Sequence, residues 1–272
     1  MRGGFGRRTG VTSCCFALVV ALGHADGRAE QHDAGGEAFS FADGSGTRLL
    51  ALSAISRPQD PYRAVCPGGR ALPVKFVKRT PASANDTGRA TAANFEHYPG
   101  DLFRIIGGRT RADATCLLIP EGSLGKRAIV RSTPLGNETC NPALAKEVAI
   151  QKGRTVARCW RKMLLAPGEE LALVLFEGEG KGALASLVLR APQQMAFMDF
   201  PGQDDANSTW RVDDGGMLRP DDFDVLFVMD DGGTREVAVS WAGAEGASLQ
   251  LLRLEGTGFR PLLRGYRYWM PS

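Results

Sequence analysis

Apolar and polar positions alternate most regularly between Phe223 and Trp269. Four runs, FDVLFVM, TREVAVSWA, SLQLLRL and FRPLLRGYRYW, are separated by short turns rich in Asp, Gly and Glu. In the second run Val237, Val239 and Trp241 fall on one face, and Glu236, Ala238 and Ser240 on the other. A period of two marks a half-buried strand, and Asp-Gly turns tolerate the positive φ of tight hairpins. The same pattern predicts strands in ARCWRKMLL, ELALVLFEG, LASLVLR and QMAFMDF. Shorter strands are expected at 38–41, 47–55 and 74–77, with a hairpin formed by 102–106 and 114–119. Residues 80–100 are small, polar and turn-rich, which predicts a long surface loop.

One segment keeps a helical period. Asn141 is a good N-cap, Pro142 fits the first turn, and Gly153 closes the segment in the left-handed region, so a short helix is predicted over 142–152. Leu144 and Val148 share its apolar face. The fold expected is all-β, built from antiparallel meanders in a propeller-like or sandwich arrangement, with this one short helix.

Four segments echo one another. Each is a turn leading into a strand: Gly46-Thr47-Arg48 before Ala51, Arg109-Thr110-Arg111 before Ala114, Gly168-Glu169-Glu170 before Ala172, and Gly233-Thr234-Arg235 before Ala238. They suggest about four similar meander units in a single domain over 37–272, with a sub-boundary near 136–156. The last copy, Asp230-Asp231-Gly232-Gly233-Thr234-Arg235-Glu236-Val237-Ala238-Val239, resembles the strand signature of FG-GAP propeller repeats. That resemblance implies calcium held by alternating acidic loop positions. Here those positions carry Val228, Asp230 and Gly232, so two of the three ligands are missing. Residues 65–76 resemble the opening of small periplasmic lysozyme inhibitors over that stretch alone.

The N-terminus changes the meaning of the composition. Arg2, Arg7 and Arg8 precede an apolar run, Val11 to Leu22, and the triplet Gly23-His24-Ala25. This reads as a cleaved secretory signal over 1–25, followed by a flexible lead-in over 26–36, and places the mature chain in a periplasm or outside the cell. No spanning segment is expected after cleavage. The leader carries three Arg and no acid, so the remainder holds 30 basic and 30 acidic residues and no global charge that would draw nucleic acid. Four cysteines remain, an even number in an exported chain, which predicts two disulfides. Cys140 and Cys159 bracket the helix and are paired on that ground, which leaves Cys66 with Cys116.

Candidate chemistry is sparse. There is no P-loop, G-x-S-x-G elbow, H-E-x-x-H or dinucleotide fingerprint. Asp204, Asp205, Asp213, Asp214, Asp221, Asp222 and Asp224 crowd a stretch that also holds Trp210. Paired carboxylates beside an aromatic suit a glycosidase, and clustered carboxylates suit calcium; solvated turns explain them equally well. The last strand presents Arg264, Tyr266 and Tyr268 on one face and Arg267 and Trp269 on the other. The ligand face expected joins Trp210, Asp213, Asp222 and Asp224 to Arg264, Tyr266 and Tyr268. The function favoured is non-enzymatic binding of an envelope carbohydrate or another protein, with no required cofactor and calcium as the one ion worth testing. A carbohydrate hydrolase using two acids of 204–224, or a protein inhibitor or assembly factor, are the alternatives.

Overall fold

The computed structural model describes residues 36–178, 184–202, 218–243 and 245–269. It is mostly β, as the alternation implies, and the strands form two closed or curled surfaces. The first is a six-stranded barrel of β1 (Ala38–Ala42), β2 (Arg48–Ala51), β3 (Tyr62–Cys66), β4 (Arg70–Thr80), β5 (Gly100–Ile105) and β6 (Thr115–Pro120). Its order is β1-β2-β5-β4-β3-β6, with β6 closing on β1 and every pair antiparallel. The predicted hairpin of 102–106 with 114–119 does not form. β5 lies between β2 and β4, and β6 between β1 and β3. Alternate residues line the barrel: Leu49, Cys66, Phe103, Cys116 and Leu118 face inward, while Phe39, Val65, Leu117 and Ile119 face outward.

Turn geometry holds the barrel mouth together. Gly46 has φ +68°, and a Cβ there would sit 2.1 Å from the carbonyl oxygen of Thr110, so only glycine fits. Residues 81–99 are ordered as a cap. Phe95 and Tyr98 stack edge-on against Phe41 at 5.5 and 5.3 Å. Buried Asn94 ties the cap to itself, donating to Asp86 Oδ1 and the Arg89 carbonyl and accepting from the Thr87 amide.

Past the four-residue α1 (Glu121–Leu124) the chain builds a ten-stranded sheet. Its strands are β7 (Ala128–Ile129), β8 (Thr133–Thr139), β9 (Val156–Ala166), β10 (Glu169–Phe176), β11 (Leu184–Ala191), β12 (Gln194–Pro201), β13 (Phe223–Asp231), β14 (Thr234–Ala242), β15 (Gly246–Glu255) and β16 (Gly258–Tyr268). Two meanders, β8 to β12 and β13 to β16, meet where β12 runs parallel to β16 at Phe197 and Gly258. The sheet curls so that Leu171, Leu173, Leu187 and Leu189 of one meander share a core with Val228, Val237, Val239 and Leu252 of the other.

Helix α2 (Pro142–Lys152) matches its prediction in detail. Asn141 Oδ1 accepts from the Leu144 amide at 2.8 Å, and Gly153 has φ +61°. Leu144 and Val148 bury against β10 and β11. Both expected disulfides are present, Cys66–Cys116 between the neighbouring strands β3 and β6 on the inner face of the barrel and Cys140–Cys159 at the root of α2. Among the described residues no helix is long and apolar enough to cross a membrane.

The second meander differs from its expected half-buried pattern. Its outer face, Phe227, Met229, Ala238, Leu249, Leu251 and Leu263, packs on the outward residues of the barrel. Glu236 is therefore fully buried rather than solvated. The four echoing alanines are all buried, but Ala51 and Ala114 face the barrel interior, whereas Ala238 faces the barrel from the sheet and Ala172 faces α2.

Candidate functional site

The joint between barrel and sheet carries charge as well as apolar contact. Arg267, on β16, reaches into the barrel mouth and is 5% exposed. Its Nε donates to the Ala90 carbonyl at 2.7 Å, Nη1 to the Asp113 carbonyl and Thr115 Oγ1, and Nη2 to Asp113 Oδ1 at 2.5 Å. Four of its five N–H bonds are thus committed. The guanidinium also lies between the Phe41 ring at 5.3 Å and the Trp269 ring at 5.8 Å. Burial lowers its pKa, and Asp113 opposes that shift. Arg267 is a clasp between the two units, with little left over to grip an anion.

Beside this clasp lies a cleft of about 340 Å³, lined by Asp222, Asp224, Ser240, Arg111, Asp113 and Trp269 among others. Asp224 is exposed at the start of β13 and stands opposite Ser240 in the ladder. Asp222 is mostly buried and forks with Arg219 at 3.0 and 3.1 Å. The cleft therefore offers carboxylate and hydroxyl acceptors beside one aromatic ring.

Trp210, Asp213 and the neighbouring acids Asp204, Asp205 and Asp214 lie outside the described residues. Asp222 and Asp224 meet the end of β16, but on the face of Arg267 and Trp269. Arg264 is exposed beside Gln250, Tyr266 lies against Gly246, and the Tyr268 carbonyl accepts from the Ala90 amide. The strand alternation separated these two faces correctly, and barrel packing selects which one the acids meet. His97 is half-buried with Ser83 Oγ 3.4 Å from its Nδ1.

Sequence reasoning missed Lys162. It is buried in β9, donating to Asn137 Oδ1 at 2.5 Å and to the Pro220 carbonyl at 2.9 Å. Asn137 holds φ +63° in a bulge of β8, and its Nδ2 donates to Asp221. Burial pushes the Lys162 amine down, and Asp224 and Asp221 oppose that shift. This network fixes the segment that carries Asp222 and Asp224.

A larger cleft of about 750 Å³ opens beside α1, lined by Asp60, Glu121, Lys126, Arg127 and Asp231 with prolines between. Among the described residues it has no aromatic wall, and its Arg127 is committed to Glu37 and Glu236 behind it. Among the described residues, no three His, Cys, Asp or Glu side chains are placed to hold a metal ion together. No protein-family model, no curated protein and no solved structure matches this chain.

Proposed function

We propose that the protein is a non-enzymatic binding module of the cell envelope or the secreted space, and that its ligand is a carbohydrate taken at the junction cleft. The observation that carries this reading is the convergence of Asp222, Asp224 and Ser240 with Trp269 in one cleft, although they come from four different strands or turns. Carboxylates and a hydroxyl accept from sugar hydroxyls, and an indole face covers the apolar face of a pyranose. The volume of about 340 Å³ falls at the small end of ligand pockets. Two disulfides support an oxidising compartment.

The test is a thermal-shift series on the oxidised mature chain with neutral, acidic and amino sugars, peptidoglycan fragments and calcium. A ligand at 100 times its Kd stabilises by about 2.7 kcal/mol, which at this size is roughly 5–10 °C. Trp269→Ala and Asp224→Asn should each abolish the shift. A panel without any shift, or a shift that both variants keep, removes the cleft as the site. A sugar cleaved during the assay would instead make the acids catalytic.

A further inference from the structure

Net neutrality of the mature chain hides an uneven distribution. Residues 37–127, which contain the barrel, carry thirteen Lys or Arg against eight Asp or Glu, whereas residues 128–272 carry sixteen against nineteen. The excess gathers on one face. In the barrel, Arg48 stands opposite Arg104, and Arg104 stands opposite Lys75. Leu49, Phe103, Val74 and Ile105, the chain neighbours of these residues, face the barrel interior, so all three cations face out. They form a row across three adjacent strands, about 10 Å long at the usual strand spacing. Lys78, past a bulge in β4, adds a fourth exposed cation.

Like charges directly opposite one another destabilise a sheet. Arg48 is compensated by Asp43 at 3.0 Å and by Glu96. Asp101 is taken by Arg79. Among the described residues, Lys75, Lys78 and Arg104 have no ion pair or side-chain hydrogen bond. Lysines often guard free strand edges against aggregation, but a closed barrel has none to guard. Two large apolar side chains also remain exposed on these strands or at their ends, Val77 at 50% and Ile106 at 42%.

We propose that this outer face of β2, β5 and β4 docks an acidic polysaccharide, whose anionic groups are received by Lys75, Arg104 and Lys78. The row is narrow and lies on a convex surface, which a single flexible chain can follow and a flat bilayer meets at few points. Binding of single-stranded nucleic acid relies on aromatic stacking platforms, and the large side chains exposed on this face are aliphatic. The surface is separate from the junction cleft and stands or falls without it.

The experiment measures binding of the full mature chain to polygalacturonate and to heparin, at low salt and with rising sodium chloride. Binding that weakens with salt is expected, because exposed charges are screened. The double variant K75E/R104E should lose at least tenfold in affinity, while K146E/R158E, with the same change of net charge on other exposed residues, should lose less than threefold. Preference for one polymer distinguishes carboxylate from sulfate recognition. The melting temperature of K75E/R104E should stay level, since reversal at 104 makes an opposite-charge pair with Arg48 while positions 75 and 104 remain a like-charge pair. No binding to either polymer at low salt, or equal losses in both double variants, overturns the proposal. Binding confined to anionic vesicles, with the same dependence on Lys75 and Arg104, overturns it in favour of a membrane surface.

Discussion

Replacing Arg127 with Met tests what holds the barrel against the sheet. Arg127 lies between α1 and β7, and its side chain is 14% exposed. It donates to Glu37, at the start of the barrel, and its Nε lies 3.1 Å from Glu236 Oε2 on β14. Glu236 Oε1 also accepts from Arg253 Nη1 at 3.2 Å, and Arg253 pairs with Asp231 at 2.8 Å. The joint thus holds three carboxylates and two guanidiniums. Removing one member of a buried ion pair leaves its partner uncompensated and costs about 3–5 kcal/mol. In a domain of this size that is roughly 6–20 °C of Tm. The loss should depend on pH. Burial is the main influence that raises the pKa of both Glu37 and Glu236, and Arg127 opposes it. A carboxyl whose folded pKa is raised contributes stability that is full below its unfolded value and lost as pH rises through the folded value. Without Arg127 both folded values climb further, so neutral pH becomes costlier and mild acid is tolerated. Thermal melts of wild type and Arg127→Met at pH 7.5 and pH 5 should show the deficit shrinking at pH 5. An equal deficit at both values, or one below about 1 kcal/mol at pH 7.5, would refute the assignment of this cluster as the joint.

The same cluster predicts that Glu236→Gln is neutral or stabilising at pH 7.5, because it removes the surplus negative charge; a urea titration reads this directly. Arg267→Met should lower stability by about 3 kcal/mol in the same titration, because it strands the buried acceptors at Ala90 and Thr115. By loop length, Cys66→Ala with Cys116→Ala should cost about 4 kcal/mol and Cys140→Ala with Cys159→Ala about 3 kcal/mol. Gly46→Ala should cost more than about 1 kcal/mol, given its positive φ and the nearby Thr110 carbonyl. A urea midpoint unchanged by the substitution would show that the turn relaxes.

Local rules explain what was legible in the chain. The helix was readable because Asn141, Pro142 and Gly153 each meet a demand of the helix end, independent of the rest of the fold. The C-terminal meander was readable because its turns and its alternation agree. Glu236 was misplaced for the reason that makes alternation useful: it separates two faces but does not say that both are covered. Here the barrel covers the second face, and a glutamate that looked solvated is held by arginines 109 residues before it and 17 after it. Barrel closure was equally hidden, since β1 pairs with β6 across more than 70 residues and neither strand announces its partner. The cysteines were the exception, because Cys140 and Cys159 bracket a locally readable helix and elimination then pairs Cys66 with Cys116.

The candidate site follows from the same division. Neither unit contains the junction cleft alone: Asp113 and Thr115 come from the barrel side, and Asp222, Asp224, Ser240 and Trp269 from the sheet side. Its shape therefore depends on the tilt between the units, and that tilt is held by the apolar joint together with two charged groups, the Arg267 clasp beside the cleft and the Arg127 cluster elsewhere on the joint. Clefts at such junctions can change shape when the joint loosens, while strand-borne residues keep their own positions. Loosening the joint at Arg127 should then weaken ligand binding at the cleft without touching any lining residue. Weakening of the barrel row should not follow, because Lys75 and Arg104 sit on adjacent strands of one closed barrel whose spacing does not depend on the joint.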